Sequence, residues 1–374
     1  MVDYAKYTVS PAIIAASAYG LWLGGGHVLL GLAILLGLLL FDALLPPDYS
    51  MRDQRFPWLY DGIVTVQILA GFALIIAYAH WVGAGHFATW PVAIGAFATM
   101  MATMFVLVAP ALHEMFHREN AFLRTVGRAG MVMIFDPWRE ITHVVTHHVH
   151  TVTPHDPDYA RRGDNLYGHL WRTFSAQIRE SYHLEQRMWT KRGRAWWHPR
   201  NAWVWRASLL VAFALLLGAA GGAWGAVAAI AVCLAGPRAF LEIFNYTQHY
   251  GLVTGTPGRF ERRHTWNHLT PFVRLLALEI TNHAGHHEDS YKPFYQLEPD
   301  RTGPAQPQFL LCILMAFIPP LWFAMIRPRL AHWDRHYANA QERELAEVEN
   351  IRAGWADLNE NPTAAARRHA YTIR

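Results

Sequence analysis

Three long stretches of this chain carry no lysine or arginine: Tyr7 to Met51, Phe56 to His117 and Ala207 to Pro237. A soluble surface needs charge more often than that. A helix of about 20 mostly apolar residues is long enough to cross a bilayer. Residues 11–45 provide for two such spans, folded back at Gly24-Gly25-Gly26. Two more are expected near 60–82 and 88–110, joined by the uncharged turn Gly83 to His86, and a last pair near 203–220 and 222–242, turning at Gly221-Gly222. Only helices and closed barrels satisfy their backbone in lipid, and there is little strand pattern here. The expectation is an all-α integral membrane bundle of about six transmembrane helices, forming one domain over 1–374. The stretch 307–326 is apolar but interrupted by Pro319-Pro320, so it reads as a docked or re-entrant segment. The first apolar run continues well past the length of a signal-peptide core and reads as a retained span.

Charge then orients the bundle. The three hairpin tips carry no lysine or arginine, whereas Lys6, Arg52, Arg55 and the basic stretch 118–206 fall on the opposite side. By the positive-inside rule that side is cytoplasmic, which places a multi-pass protein in the cell's inner membrane. The pI of about 9.1 needs no nucleic acid to explain it, because basic residues beside a bilayer meet anionic headgroups.

Nine of the 22 histidines fall into four clusters on that same side, at 113–155 and 245–295. His113 and His117 lie in HEMFH, and His143, His147 and His148 in HVVTHH. His249 lies in NYTQHYGL, and His283, His286 and His287 in HAGHH. On a helix, residues i and i+4 share a face, so each of the pairs His113/His117, His143/His147 and His283/His287 aims two imidazoles at one point. A neighbour at i+3 or i+5 adds a third donor. One ion takes about four to six ligands, so nine imidazoles suit two ions. The remaining histidines, among them His27, His80, His86, His169, His183, His198, His332, His336 and His369, read as ordinary hydrogen-bonded or surface groups.

The donor set restricts the metal. Calcium and magnesium prefer oxygen, and a zinc hydrolase usually manages with three protein ligands on one ion. Two nitrogen-bound ions with open positions suit redox-active iron and dioxygen. Cys233 and Cys312 are too few for an iron–sulfur cluster and read as small apolar groups in helices. No Gly-rich dinucleotide fingerprint follows a strand, so no nicotinamide or flavin site is expected within this chain.

HEMFH, HVVTHH, NYTQHYGL and HAGHH, with TPHDPDYARRG after the second cluster, resemble the histidine boxes of the membrane alkane hydroxylase family, a branch of the fatty acid desaturase-like superfamily. LPPDYSMR, EITNHAGHHEDSYKPFYQL, IPPLWFAMI and RPRLAHWDRHYANAQERELA resemble its xylene monooxygenase branch most. The resemblance covers nearly the whole chain, and NYTQHYGL is its most specific motif because desaturases generally lack it.

The resemblance implies that the nine histidines ligate two non-haem iron ions in a cytoplasmic cap, while His150 and His155 do not. It implies a monooxygenase that uses dioxygen and two electrons to hydroxylate a terminal methyl of a hydrophobic substrate to the primary alcohol. The expected substrate is an alkyl-aromatic such as toluene, xylene or cymene. A medium-chain n-alkane is the alternative, and fatty acyl desaturation a more distant one. The electrons would come from a flavin and iron–sulfur reductase, or from a rubredoxin or ferredoxin with its own reductase. The basic surface within 118–206 and 327–374 would dock an acidic partner. A metal transporter would instead place its ligands near the bilayer midplane. Glu114, Asp156, Asp158 and Asp289 are candidates to accept hydrogen bonds from ligand N–H groups, and His264 and His268 to support them. Phe72, Trp81, Trp90 and Phe105 are candidates to line a lateral substrate path, and Asp42 to face the bundle interior or the interface.

Overall fold

A computed structural model describes residues 2–356 and Leu358. His369 lies outside the described residues. The described residues are helical, with one isolated bridge between Asn267 and Ala305 and no strand. Helices long and apolar enough to cross a membrane run over Gly25–Asp42, Pro57–Gly83, Trp90–Phe116 and Ala202–His249.

The last of these holds both arms of the third expected hairpin. Its backbone breaks at Gly221 and at Gly222, where φ is +61°. That left-handed conformation suits glycine. A Cβ on Gly221 would also stand 1.9 Å from the carbonyl oxygen of Ala79, so the second and third hairpins touch backbone to backbone. The first hairpin pairs Val9–Leu23 with Gly25–Asp42 through Gly24 and Gly25, both at positive φ. His86 Nε2 lies 3.1 Å from the Leu21 carbonyl and His80 Nδ1 3.2 Å from that of Ala220. The three uncharged tips therefore gather at one end of the bundle, and these two histidines are used in joining them.

At the other end the helices run further than hydropathy suggests. Trp90–Phe116 continues past residue 110 into HEMFH, and Ala202–His249 continues past 242 to His249. Each passes through a π-helical turn, Met104–Val108 and Leu234–Arg238, before reaching its histidines. Such turns insert one residue and re-aim everything beyond them. Asp42 closes the first hairpin, fully buried, accepting from Thr270 Oγ1 at 2.6 Å and from the Phe272 N–H at 2.7 Å. It faces inward and holds the start of the short helix Pro271–Leu276.

The stretch 307–326 forms two helices, Phe309–Ala316 and Pro319–His336, broken at Phe317 and Ile318. The second runs under the histidine end of the bundle together with Ala340–Arg352. Buried Arg162 ties both down, bonding Asp334 at 2.5 Å and Asn350 Oδ1 at 2.7 Å. Cys233 and Cys312 are buried and free, inside apolar helices.

Candidate metal centre

The structure brings all nine histidines of the four boxes together. Eight are at most 7% exposed, and His148 is partly exposed. They form two groups of four, and His143 and His147 also meet Asp158 in a third group. His113, His117, His143 and His286 place ligand atoms within 4.8 Å of one another, and so do His147, His249, His283 and His287. His148 joins the first group, its Nε2 3.2 Å from that of His143. His150 and His155 stand outside both, their rings 5.8 Å from each other.

The division corrects one expectation. His143 and His147, paired as i and i+4 on an α-helix, do stand together, their rings stacked at 4.9 Å and sharing a third group with Asp158, yet each also joins a different group of four. Residues His143–His147 form a π-helical turn, in which residue i+5 rather than i+4 comes back beneath residue i. His148 therefore returns to His143, while His147 is turned toward His249 and His287, at ring-centroid distances of 5.2 and 5.1 Å. In a regular α-helix, i+5 would lie far round the barrel.

Hydrogen bonds on the outer ring nitrogens show what the inner ones must be. His147 Nδ1 donates to Asp156 Oδ2 at 2.8 Å, His249 Nδ1 to the His264 carbonyl at 3.1 Å, and His283 Nδ1 to the Ile280 carbonyl at 3.2 Å. Each neutral ring then carries a bare lone pair on Nε2. These lone pairs face one another: His249 and His283 Nε2 are 2.9 Å apart, and His283 and His287 Nε2 are 3.0 Å apart. His147 Nε2 is buried with no protein partner. In the first group His113 and His143 Nε2 are 2.9 Å apart, and both nitrogens of His117 and Nε2 of His286 lack partners.

Converging lone pairs repel unless a cation lies among them. Protonation is disfavoured: burial, with neighbouring imidazoles, pushes His117, His143, His283 and His287 well below the usual histidine range, and burial takes His286 down to about 3. Burial also opposes charge on His147, but the Asp156 carboxylate outweighs it and raises that ring. Nitrogens on adjacent positions of one ion, bound at about 2.0–2.1 Å, stand about 3 Å apart. The observed spacings fit.

Of the acids singled out from sequence, Asp156 alone bonds a box histidine. Asp158 stands 3.9 Å from His147 Nδ1, and its oxygens are taken by Gln177 and Asn245. Arg139, itself paired with Asp136 and Glu242, lies 3.6 Å from it. Glu114 instead pairs with Arg118 at 2.9 Å and accepts from the Phe294 N–H. Asp289 is exposed and accepts from the Tyr291 N–H. His264 does lend its carbonyl to His249, and its own ring is held by Glu342 at 2.7 Å. His268 bonds the Pro307 carbonyl and packs on Phe309 instead.

Beside the second group lies an apolar cavity of about 410 Å³. Leu36 and Phe317, both exposed, stand in its wall, so it reaches the apolar outer surface of the bundle. Its buried wall includes Phe240, Ile243, Leu276 and Phe309. Phe244 packs behind them, its ring 5.6 Å from Phe240, 5.7 Å from Phe309 and 5.0 Å from His283. Phe105 lines the cavity as expected, but Phe72, Trp81 and Trp90 do not. Phe72 packs edge-on to Phe213, Trp81 lies near His86, and Trp90 is 84% exposed.

Residues 88–310 match the fatty acid desaturase family. Over 95% of its length the chain is 33% identical to the xylene/toluene monooxygenase hydroxylase component of Pseudomonas putida, covering 96% of that protein. The chain belongs to the membrane hydroxylase branch of the fatty acid desaturase family. It is also similar to an alkane 1-monooxygenase of Pseudomonas putida, 26% identical over 94% of this chain and 91% of that protein. Alkane 1-monooxygenase 1 of Pseudomonas aeruginosa is 29% identical over 81% of this chain and 77% of its own length. The protein is thus an oxidoreductase, a membrane monooxygenase hydroxylase from a family of non-haem iron enzymes, and its histidine groups can hold metal.

Proposed function

We propose that this chain is the hydroxylase component of a di-iron monooxygenase that converts a methyl group on an aromatic ring to the primary alcohol. The carrying observation is the double set of converging imidazole lone pairs next to a phenylalanine-walled cavity. His113, His117, His143, His148 and His286 would hold one iron, and His147, His249, His283 and His287 the other. When bound, the irons supply the activation of dioxygen that saturated C–H bonds require. The protein's own part is to bind, orient and keep dry. A hydrocarbon enters from the bilayer past Leu36 and Phe317, and the cavity's leucines shield it from water. Phe105 and Phe240 meet edge to face at 4.5 Å and offer the contacts that a flat ring prefers. Phe244 stands between Phe240 in the cavity wall and His283, so its rotamer sets how far a methyl group can advance.

The relative acting on xylene and toluene supports an aromatic substrate, and the alkane 1-monooxygenases keep medium-chain n-alkanes as the second reading. The deciding experiment feeds toluene, p-xylene and octane together to cells expressing this chain with a compatible reductase. Benzylic alcohols are expected to dominate the products. Octan-1-ol as the main product would overturn the aromatic assignment.

In this reading the histidines face the cytoplasm from the inner membrane, which the uncharged tips and the basic opposite end support. There they can meet an electron carrier, either a flavin and iron–sulfur reductase or a rubredoxin- or ferredoxin-type protein. Exposed Lys191, Arg192, Arg194 and Arg200 offer an acidic carrier a basic surface. Turnover at limiting carrier concentration should therefore fall several-fold between low and physiological salt, as charge steering is screened. Rates indifferent to ionic strength would remove this docking surface and leave the metal assignment standing.

A further inference from the structure

A second pocket of about 140 Å³, with polar side chains in its wall, lies across Phe309 from the apolar cavity. Its wall includes Tyr49, Asn267, His268, Arg301 and Gln306. His268 is 2% exposed, and its ring packs against Phe309 at 5.2 Å, so these two rings separate the two spaces. Tyr49 and Arg301 are exposed and stack on each other at 4.2 Å, which puts the pocket's other side at the protein surface.

The hydrogen bonds around this pocket are incomplete in a specific way. His268 Nδ1 lies 2.7 Å from the Pro307 carbonyl, an acceptor, so Nδ1 carries the proton. Burial keeps the ring neutral at pH 7, with its pKa down at about 4. Nε2 is then purely an acceptor, and it is buried without a partner. Both polar ends of Gln306 are likewise buried and unpartnered. Asp300, the pocket's acid, is taken up by Asn267, Thr302 and Gly303. An acceptor nitrogen and an amide in the wall of one pocket match a ligand that both gives and takes one hydrogen bond. A hydroxyl does that, and a hydrocarbon cannot.

We propose that this pocket binds the hydroxyl of the alcohol product on its way out, His268 Nε2 accepting from the O–H and the Gln306 amide donating to the oxygen. The inference rests on the reading that the reaction makes a primary alcohol. It separates the two ligands by chemistry, since the hydrocarbon belongs in the apolar cavity and the alcohol has a polar place to go on the other side of Phe309. The competing occupant, which the test below separates, is ordered water, whose share of liquid volume is about 30 Å³ per molecule.

The test measures saturable binding of tritiated 4-methylbenzyl alcohol, and separately of p-xylene, to the purified full-length protein in lipid nanodiscs. Gln306→Leu is the main variant, because the Gln306 side chain makes no hydrogen bond to the protein. His268→Leu is the second. Each is expected to weaken alcohol binding by several-fold to about tenfold, the worth of one or two hydrogen bonds, and to leave p-xylene binding within about twofold. Unchanged alcohol binding in Gln306→Leu would mean that water alone occupies the pocket, and would overturn the proposal. Equal weakening of both ligands would overturn it too, by placing the alcohol in the apolar cavity. If His268→Leu fails to accumulate, Gln306→Leu still decides. The product analysis tests the underlying reading independently, because binding is measured without turnover.

Discussion

Alanine at His143 or at His283 is expected to lower hydroxylation by more than about 100-fold, beyond the 10–100-fold typical of losing a group that merely orients a ligand. These two rings are the hubs of their groups. His143 Nε2 faces those of His113 and His148, and His283 Nε2 faces those of His249 and His287. Removing either breaks several of the close approaches that mark one ion's surroundings, and should cost about one iron per chain by elemental analysis. Membrane insertion should persist, because it depends on the apolar helices. His183→Ala and His332→Ala, outside both groups, should keep most activity. Two irons and more than a tenth of the activity in His283→Ala would contradict the assignment, as would stoichiometric zinc in the wild-type protein.

Which histidines meet was legible in the sequence, and how they divide was not. The box pattern reports neighbours along a helix, and it drew His143 and His147 as partners because it assumes 3.6 residues per turn. The π-helical turn at His143–His147 leaves no mark in a hydropathy or spacing pattern, yet it lets those two neighbouring rings each join a different group of four. The hairpins were legible because glycines without neighbouring charge sit between apolar runs, as at Gly24 and Gly222. Their lower ends were not, because Trp90–Phe116 and Ala202–His249 become buried in protein rather than lipid and so turn polar while remaining helical. Partners on the outer nitrogens were missed for a simpler reason. His249 and His283 use the carbonyls of His264 and Ile280, and any residue has a carbonyl. Of the aromatic residues chosen for the substrate path, Phe105 faces the cavity and Trp90 faces out, a distinction set by helix rotation that composition does not carry.

Among the described residues, Asp156 is the one side-chain carboxylate hydrogen-bonded to a box histidine, so its removal separates orientation from ligation. Its Oδ2 accepts from His147 Nδ1, while its Oδ1 accepts from the Asp158 N–H at 2.9 Å and fixes the loop after the second box. With alanine there, the nearest carboxylate to Nδ1 is Asp158 at 3.9 Å, its oxygens taken by Gln177 and Asn245, and His147 can present a protonated Nε2 to its group, a tautomer that cannot bind metal there. Activity should fall about 10–100-fold, with iron lost from the group of His147, His249, His283 and His287 and retained in the other. Asp156→Asn keeps an acceptor oxygen but not the charge, so it should recover most of the iron and only part of the rate. Asp289→Ala supplies the contrast: that carboxylate is exposed and bonds only a backbone N–H, so both iron content and rate should stay near wild type. Full activity and two irons in Asp156→Ala would mean that packing alone holds His147 in place. Equal iron loss from both groups would mean that the loop, rather than the ring's tautomer, is what Asp156 maintains.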